Sequence, residues 1–265
     1  MLAKKILFVN QEITPYLEVS HLSVVGRYLP QSIQERGLDI RTFMPGYKLV
    51  NERKYQLHEV IRLSGLNIPI GGHNRTLHVK VGSIQAVRLQ TYFIENEDFF
   101  QEGTLFDKYG KFYTDNDERA MFFAKGVLET TKNLGWSPDI IHCQGWIASL
   151  VPLYVKVLYK DNPIFANTKV IYSVFGDTFT KSFRSFPVKL KSTGIPASVA
   201  KLYKQATCES TTKTAIDFSD AVVIAEDSVP AEIKDYVFQS GKHFFVHRRD
   251  HYADDYVTLY NTLVN

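Results

Sequence analysis

The sequence has few cysteines, little net charge and no long apolar run, and each absence excludes a class of protein. Its 265 residues include only two cysteines, Cys143 and Cys208, whose spacing predicts neither a disulfide framework nor a metal site. The 31 basic and 28 acidic residues are too balanced for a nucleic-acid footprint. No apolar stretch approaches the roughly 20 residues of a membrane span, and no signal-peptide core is present. We therefore expect a soluble, cytoplasmic protein with no nucleic-acid or membrane partner, no metal and no cofactor.

The first half of the chain has the pattern of a βαβ unit with an insertion. The apolar run at residues 6–9 is typical of a parallel strand covered on both faces, and helical periodicity then continues to a stop at Gly37. Residues 39–44 supply a second strand. Near alternation of polar and apolar residues over 55–94 predicts antiparallel or edge strands, with a loop at 71–74. We interpret this stretch as a β-hairpin extension rather than a separate domain.

The second half continues with alternating helices and strands. An acidic, capped start at residues 115–118 predicts a long helix to about Asn133. Strands are predicted at 139–142, 168–174 and, as the final short strand, 220–225, with helices at 147–159 and from 228–230 onwards. Hydrophobic residues make up 45% of the chain, enough for one large core. These patterns predict an α/β fold, a doubly wound, mainly parallel, Rossmann-like sheet with a β-hairpin insertion.

Motifs on these elements occur in the order and spacing of a known family. Glu12 and Pro15 follow the first strand, a Tyr-Gly pair stands at 109–110, an Asp-Asn-x-Glu-Arg run at 115–119 begins the long helix, and Trp146 follows the strand at 138–142. With these motifs the chain resembles the N-terminal domain of bacterial glycogen and starch synthases, which transfer glucose from ADP-glucose to an α-1,4-glucan. The resemblance implies the N-terminal lobe of a GT-B glycosyltransferase.

The resemblance also implies how the chain is organised. We expect residues 1–265 to form a single starch-synthase-like N-terminal lobe with its core at 4–236. Residues 250–265 resemble the terminal helix that, in two-domain transferases, packs back on the first domain. The family's C-terminal domain, which supplies cationic groups for the phosphates of the donor, has no counterpart in this sequence.

Three family positions that are implied to carry the chemistry are replaced in this chain. The resemblance implies a Lys-Thr-Gly-Gly-Leu donor loop, but the lysine position is Glu18 and no glycine remains to let backbone amides approach a diphosphate. In the family's His-x-His-Asp-Trp motif, the second histidine is Gln144 and the aspartate is Gly145. A family histidine after the next strand is Phe175. We therefore assign no catalytic residue.

Several polar and aromatic residues remain as candidates for substrate binding. His142, at the end of the strand predicted at 139–142, either contacts a ligand hydroxyl or is partly buried and hydrogen-bonded to the backbone. Trp146 either stacks on a sugar ring or fills the core. Glu12 either forms a carboxylate pair with Glu18 or faces water on a turn. The candidates are Glu12, Tyr47, His142, Gln144 and Trp146.

Two hypotheses for the function follow from these matches and departures. The first is a glycogen or starch synthase-like protein of glucan metabolism, with ADP-glucose and α-glucan as ligands, that is inactive as an isolated chain. The alternative is a non-catalytic module that binds glucan or a protein and serves as a regulator or scaffold. Because loss of the second lobe would uncover one side of the sheet, we also expect a homodimer or another protein partner.

Overall fold

The protein is built on a nine-stranded sheet with helices on both faces, accompanied by a separate two-stranded hairpin. A computed structural model describes residues 3–100, 103–107, 109–248 and 252–264. The strands are β1 (Lys5–Asn10), β2 (Asp39–Pro45), β3 (His58–Glu59), β4 (Asn67–Ile70), β5 (His73–Thr76), β6 (His78–Ile84), β7 (Leu89–Glu95), β8 (Ile140–Gln144), β9 (Lys169–Val174), β10 (Ala221–Ile224) and β11 (His243–Val246).

Local sequence sets where several helices begin. Ser20 and Thr207 are N-caps whose hydroxyls accept hydrogen bonds from the backbone amides of Ser23 and Ser210, and each pair forms a reciprocal capping box. The helices are α1 (His21–Glu35), α2 (Asn116–Asn133), α3 (Val151–Leu153), α4 (Phe186–Ser192), α5 (Ala197–Ala200), α6 (Cys208–Asp217), α7 (Ala231–Gln239) and α8 (Tyr252–Val264).

The sheet is mainly parallel, as predicted. Its strand order is β11-β10-β9-β8-β1-β2-β7-β6-β3, and the only antiparallel pairs among its described strands are β7 with β6 and β6 with β3. The chain leaves β1 towards β2 on one side and leaves β8 towards β9 on the other side, so the order reverses between β1 and β8. In an open α/β sheet this switch point is where ligands bind, outside the carboxyl ends of the strands.

The central strands are buried on both faces, which explains their continuous apolar runs. In β1, Leu7 and Val9 belong to the larger apolar cluster, whereas Ile6 and Phe8 belong to a second cluster beneath α1 and α8. Side chains on a strand alternate between faces, so one run of apolar residues fills both clusters.

The predicted β-hairpin insertion is confirmed. β4 and β5 pair antiparallel, and the turn between them contains Gly71 and Gly72, both with positive φ. β7 pairs parallel to β2 and antiparallel to β6, so the insertion also extends the main sheet.

Three sequence-based predictions about local structure were wrong. The segment predicted as one helix at 147–159 is a 3₁₀ turn, one α-helical turn and a π-helix, with Pro152 at the α-helical start. The strand at 220–225 is not the last, because β11 follows it. His142 lies in the middle of β8 rather than at its end.

The terminal helix α8 packs on the sheet face that α1 also covers. Tyr256 and Tyr260 are fully buried in the second apolar cluster. Arg36, the residue after α1, forms a salt bridge of 2.8 Å with Asp254 of α8. Of the span predicted for this helix, residues 250, 251 and 265 lie outside the described part of the chain.

Candidate functional site

A crevice lies outside the carboxyl ends of the strands around the switch point. The last residues of β1 and β8, Asn10 and Gln144, are paired in register, and Gln144 is also aligned with Ser173 of β9. The segments that follow these strands and β10 form its walls. Their polar and aromatic residues are Gln11, Glu12, Trp146, Phe175, Asp177 and Glu226.

The loop that leads into α1 is organised by its own side chains. The Ser20 hydroxyl donates a hydrogen bond of 2.9 Å to Glu12 Oε2 and accepts one of 3.0 Å from the Ser23 amide. Glu18 is exposed in the same loop. The helix N-terminus, which attracts anions in many proteins, is therefore flanked here by two carboxylates.

The first residue of α1 reaches across the crevice. Nε2 of His21 lies 3.0 Å from the carbonyl oxygen of Ala225, which follows β10. The imidazole lies 6.0 Å from the ring of Phe175 and 5.7 Å from the ring of His247, measured between centroids. Side chains therefore occupy the space between the start of α1 and the end of β10.

Carboxylates gather in the crevice around Asp177. Asp177 accepts a hydrogen bond of 3.4 Å from the backbone amide of Trp146, and Glu226 accepts one from the amide of Gly176. Burial raises the pKa of Asp177 to about 6, and the negative charge of Glu12 and, to a smaller extent, that of Glu226 act in the same direction. The crevice is therefore electrostatically unfavourable for an anion.

Gly145 is required by the local geometry. Its φ is +85°, and a Cβ atom added there would lie 2.7 Å from Cβ and 2.9 Å from Oε1 of Gln11. Gln11 cannot move freely, because its Oε1 accepts a hydrogen bond of 3.0 Å from the Ile147 amide. A glycine at position 145 is thus required by the packing.

His142 is a buried connector between strands and the terminal helix. Its Nδ1 lies 2.8 Å from Oη of Tyr260, and its Nε2 lies 2.7 Å from Oγ of Ser173. Burial lowers the pKa of His142 to about 3, and the nearby His247 contributes in the same direction. The ring is therefore neutral at pH 7, and both of its nitrogens are engaged inside the protein.

Gln144 and Asn10 form a buried pair of carboxamides at the switch point. Both side chains are fully buried, and none of their amide oxygen and nitrogen atoms has a hydrogen-bond partner among the described residues. Buried polar groups are normally hydrogen bonded. The unsatisfied polar atoms of these two side chains therefore lie at the carboxyl ends of β1 and β8.

The two aromatic candidates are both buried. The indole N–H of Trp146 donates a hydrogen bond of 2.9 Å to Oγ1 of Thr211. The indole ring stacks on the ring of Phe183, with 5.4 Å between the centroids. Tyr47 packs edge-on against Phe100 at 5.6 Å, and burial raises its pKa well above its usual range, with Glu12 adding to the rise.

The structure brings some of the predicted candidates together and separates others. The charge of Glu12 raises the pKa of both Tyr47 and Asp177, so these three residues lie in one part of the site. His142 belongs instead to the network that holds the terminal helix. His21, Gln11, Asp177 and Glu226 also line the site and are not among the residues predicted from the sequence. Asp177 carried a usable signal, because an acidic residue shortly after a buried strand marks the crevice edge of the sheet.

The described residues show neither a metal centre nor a membrane span. Within residues 3–100, 103–107, 109–248 and 252–264, no group of three or more histidine, cysteine and acidic side chains is arranged to hold a metal ion. Among the helices of these ranges, none combines the length and apolar character that crossing a bilayer requires.

Comparison with known proteins gives consistent matches. The glycogen synthase of Chlorobium luteolum is 41% identical over 172 residues, which are 64% of this chain and 35% of that protein. That of Chlorobium phaeovibrioides is 33% identical over 239 residues, 86% of this chain and 47% of that protein. The chain thus spans less than half the length of these relatives.

A solved structure and a family model complete the comparison. The catalytic domain of starch synthase IV from Arabidopsis thaliana, bound to ADP and acarbose, superposes on this chain with a TM-score of 0.70 at 18% identity. The match covers 92% of this chain and 51% of the starch synthase chain. This likeness shows the fold. The model of the family described as the starch synthase catalytic domain matches residues 5–248. The chain therefore belongs to the starch synthase catalytic domain family.

Proposed function

We propose that this chain acts in glucan metabolism as a glycogen or starch synthase-like protein, and that alone it does not transfer glucose from ADP-glucose to an α-1,4-glucan. The observation that carries the proposal is the acidic crevice formed by Glu12, Asp177 and Glu226. A nucleoside diphosphate leaving group needs cationic groups where its charge develops. Three carboxylates at the switch point disfavour the donor before any chemistry can begin.

Two arginines near the crevice do not offset this charge. Nε of Arg119 lies 3.1 Å from Asp115, and Nη2 of Arg248 lies 2.8 Å from Asp255. Each guanidinium is thus paired with a carboxylate of its own chain. His21 adds to the obstacle, because its ring is held against the Ala225 carbonyl and fills space between the start of α1 and the end of β10.

The features of a neighbouring cleft favour retention of glucan binding. This cleft, of about 480 Å³, lies between the ends of β9 and β10 and the helices α6 and α7. Phe179 lies on its wall and stacks on Phe112 at 4.5 Å, with Trp146 packed edge-on at 4.9 Å. A flat apolar ring beside hydroxyl and carboxylate groups suits a sugar, which has apolar faces and polar edges. The polar lining residues are Asp177, Thr178, Thr180, Thr207, Glu209, Thr212 and Glu232.

The transfer reaction is tested with radiolabelled ADP-glucose and glycogen. We expect the isolated chain to incorporate no glucose above the level of a heat-denatured sample, while a two-lobed starch synthase catalytic domain serves as the positive control. Calorimetry with ADP-glucose should show binding no tighter than about 1 mM. Incorporation of label by this chain, or micromolar binding of ADP-glucose, would overturn the proposal of an inactive chain.

Glucan binding is tested by co-sedimentation with glycogen. We expect Phe179→Ala to lower the affinity for glycogen at least about fivefold, since a stacked ring contributes about 1 kcal/mol or more to binding. Tyr28→Ala is the matched control, because Tyr28 is an exposed aromatic residue on α1, away from the cleft. If the unaltered chain does not co-sediment with glycogen, the proposal of glucan binding is wrong, and a scaffold that binds a protein explains the chain better.

We also propose a cytoplasmic location. Cys143 and Cys208 are both buried thiols without a disulfide. Reduced cysteines are usual in the cytoplasm, whereas exported proteins commonly pair them. Fractionation of cells that produce the chain checks this location.

A further inference from the structure

The positive charge of the protein is concentrated in one segment. Between Asp177 and Glu209 the chain has six basic residues and no acidic residue. The whole chain has 31 basic and 28 acidic residues, so 25 basic and 28 acidic residues lie outside this stretch, with a net charge of −3. We call residues 178–208 the basic segment. Its charge is opposite to that of the rest of the protein, so the average composition does not account for it.

Most of the cations in the basic segment have no acidic partner. Lys189 is the exception, because its Nζ lies 2.7 Å from Asp117 and 2.9 Å from Glu118. Glu209, just beyond the segment, is already paired with Lys213 at 2.6 Å. The other five cations are exposed, and no carboxylate of the described residues forms an ion pair with them. These five are Lys181, Arg184, Lys191, Lys201 and Lys204.

The basic segment is held on the protein as one unit. Helix α4 packs against α5 and against the 3₁₀ turn Lys201–Tyr203 that follows it. The ring of Phe186 stacks on the ring of Tyr203, with 5.1 Å between the centroids. The Phe183 amide donates a hydrogen bond of 3.0 Å to the Ala206 carbonyl, which joins the two ends of the segment. Because this backbone is ordered before any partner arrives, binding costs little further ordering.

The five exposed cations lie close enough to act together. Helix α4 has seven residues and is therefore about 10 Å long. The screening length at physiological ionic strength is about 8 Å. The potentials of cations on α4 and on the neighbouring α5 therefore add, and the combined field attracts a partner that carries several negative charges.

Two exposed aliphatic side chains lie in the same segment. Val188 of α4 is 61% exposed, and Leu202 of the 3₁₀ turn is 54% exposed. The aromatic rings of the segment, in contrast, are buried or face the neighbouring cleft: Phe179, Phe183, Phe186 and Tyr203. The outer surface of the basic segment therefore combines unpaired cations with aliphatic groups and presents no exposed aromatic ring.

We propose that the basic segment binds an acidic segment of a protein partner in which carboxylates alternate with aliphatic residues. The carboxylates meet the five unpaired cations, and the aliphatic residues cover Val188 and Leu202. A nucleic acid suits this surface less well, because no ring is exposed for bases to stack on. A membrane also suits it less well, because Phe186 and Leu190 of α4 are buried, whereas a helix that lies on a bilayer turns its apolar face to the lipid.

The role of the cations is tested by fluorescence anisotropy with the full chain and a short labelled peptide in which glutamate and leucine alternate. We expect the dissociation constant to rise at least about tenfold in the double variant Lys191→Glu, Lys201→Glu, because two attractions become repulsions. The matched control is Lys54→Glu, Arg62→Glu, which changes the net charge equally at two exposed residues outside the segment. Circular dichroism checks that both variants fold. Absence of peptide binding, or equal weakening in the two variants, overturns the proposal.

The chemistry of the partner is tested with further probes. Val188→Ser, Leu202→Ser should weaken binding of the glutamate–leucine peptide about threefold, because its leucines lose apolar contacts. A glutamate–serine peptide should bind this variant and the unaltered chain equally. Unchanged affinity for the first peptide would overturn the aliphatic contacts. Tighter binding to vesicles of phosphatidylserine and phosphatidylcholine, or to a short DNA duplex, would overturn the protein partner in favour of lipid or nucleic acid. No glucan or nucleotide sugar enters these measurements, so their failure is distinct from failure of the proposed function.

Discussion

The imidazole of His21 and the carbonyl oxygen of Ala225 are joined by a hydrogen bond of 3.0 Å, which connects the first turn of α1 to the end of β10. Because a carbonyl oxygen only accepts, the proton resides on Nε2 of the ring. The bond holds the ring beside Phe175, at the entrance to the crevice. The entrance to the crevice beside α1 is thereby occupied by a side chain.

Removal of this ring should weaken the fold slightly without creating a nucleotide site. His21→Ala should lower the free energy of unfolding by about 1 kcal/mol, the usual contribution of one hydrogen bond. His21→Gln, which keeps a side-chain donor, should lose less. Urea denaturation gives both values. ADP-glucose should still not bind to His21→Ala in calorimetry, because Glu12 and Asp177 remain; binding to this variant would show that the ring alone excludes the donor.

An aspartate at position 145, the residue that the resemblance in sequence implies for the family, should disrupt the structure. Gly145→Asp places a Cβ 2.7 Å from Gln11 in addition to the positive φ. The matched control is Gly110→Asp, since Gly110 also has a positive φ, +76°, but has no atom within 4 Å of a built Cβ. We expect a loss of about 1 kcal/mol for the control and of 3 kcal/mol or more at Gly145, on the order expected for strain plus overpacking. Thermal and urea denaturation measure the difference, and equal losses would contradict the steric argument.

His142 should make stability depend on pH in acid. Its pKa is about 3 in the folded protein, below its usual 6.5, so the unfolded chain binds a proton first as the pH falls. The free energy of unfolding should therefore decrease between about pH 6.5 and pH 3, by up to about 1.4 kcal/mol per pH unit. His142→Gln removes this part of the slope, whereas His58→Gln, at an exposed histidine, should leave it unchanged. Identical slopes in the two variants would contradict the assignment.

Asp177 should make the free energy of unfolding fall as the pH rises, which is opposite to the effect of His142. Its pKa of about 6 lies above its usual 3.8, so its stabilising contribution is complete below about pH 4 and is lost as the pH rises through 6. Asp177→Asn should therefore be more stable than the unaltered protein at pH 8 and should lose that advantage near pH 4. Asp161→Asn, at an exposed aspartate, is the control. Denaturation at both pH values tests the prediction, which fails if the difference between Asp177→Asn and the unaltered protein does not change with pH.

The candidate site could be predicted only where local sequence dictates position. Glu12 and Trp146 directly follow buried strands, so their place at the crevice edge was readable from the pattern. The position of His142 was not readable, because both of its hydrogen-bond partners, Ser173 and Tyr260, belong to other elements and Tyr260 is 118 residues away in sequence. Which nitrogens of a buried ring are engaged depends on packing that periodicity does not record.

By itself the sequence determined the α/β class, the mainly parallel direction of the strands, the inserted hairpin and the family. These properties follow from short-range causes: apolar runs that are buried on both faces, capping residues and motifs at strand ends. Tertiary structure alone decided that His21 closes the crevice, that Gly145 is sterically required by Gln11, and that β11 is the last described strand on one side of the sheet. Each of these depends on the distance between groups that are far apart along the chain, and that distance is set only when the helices pack on the sheet.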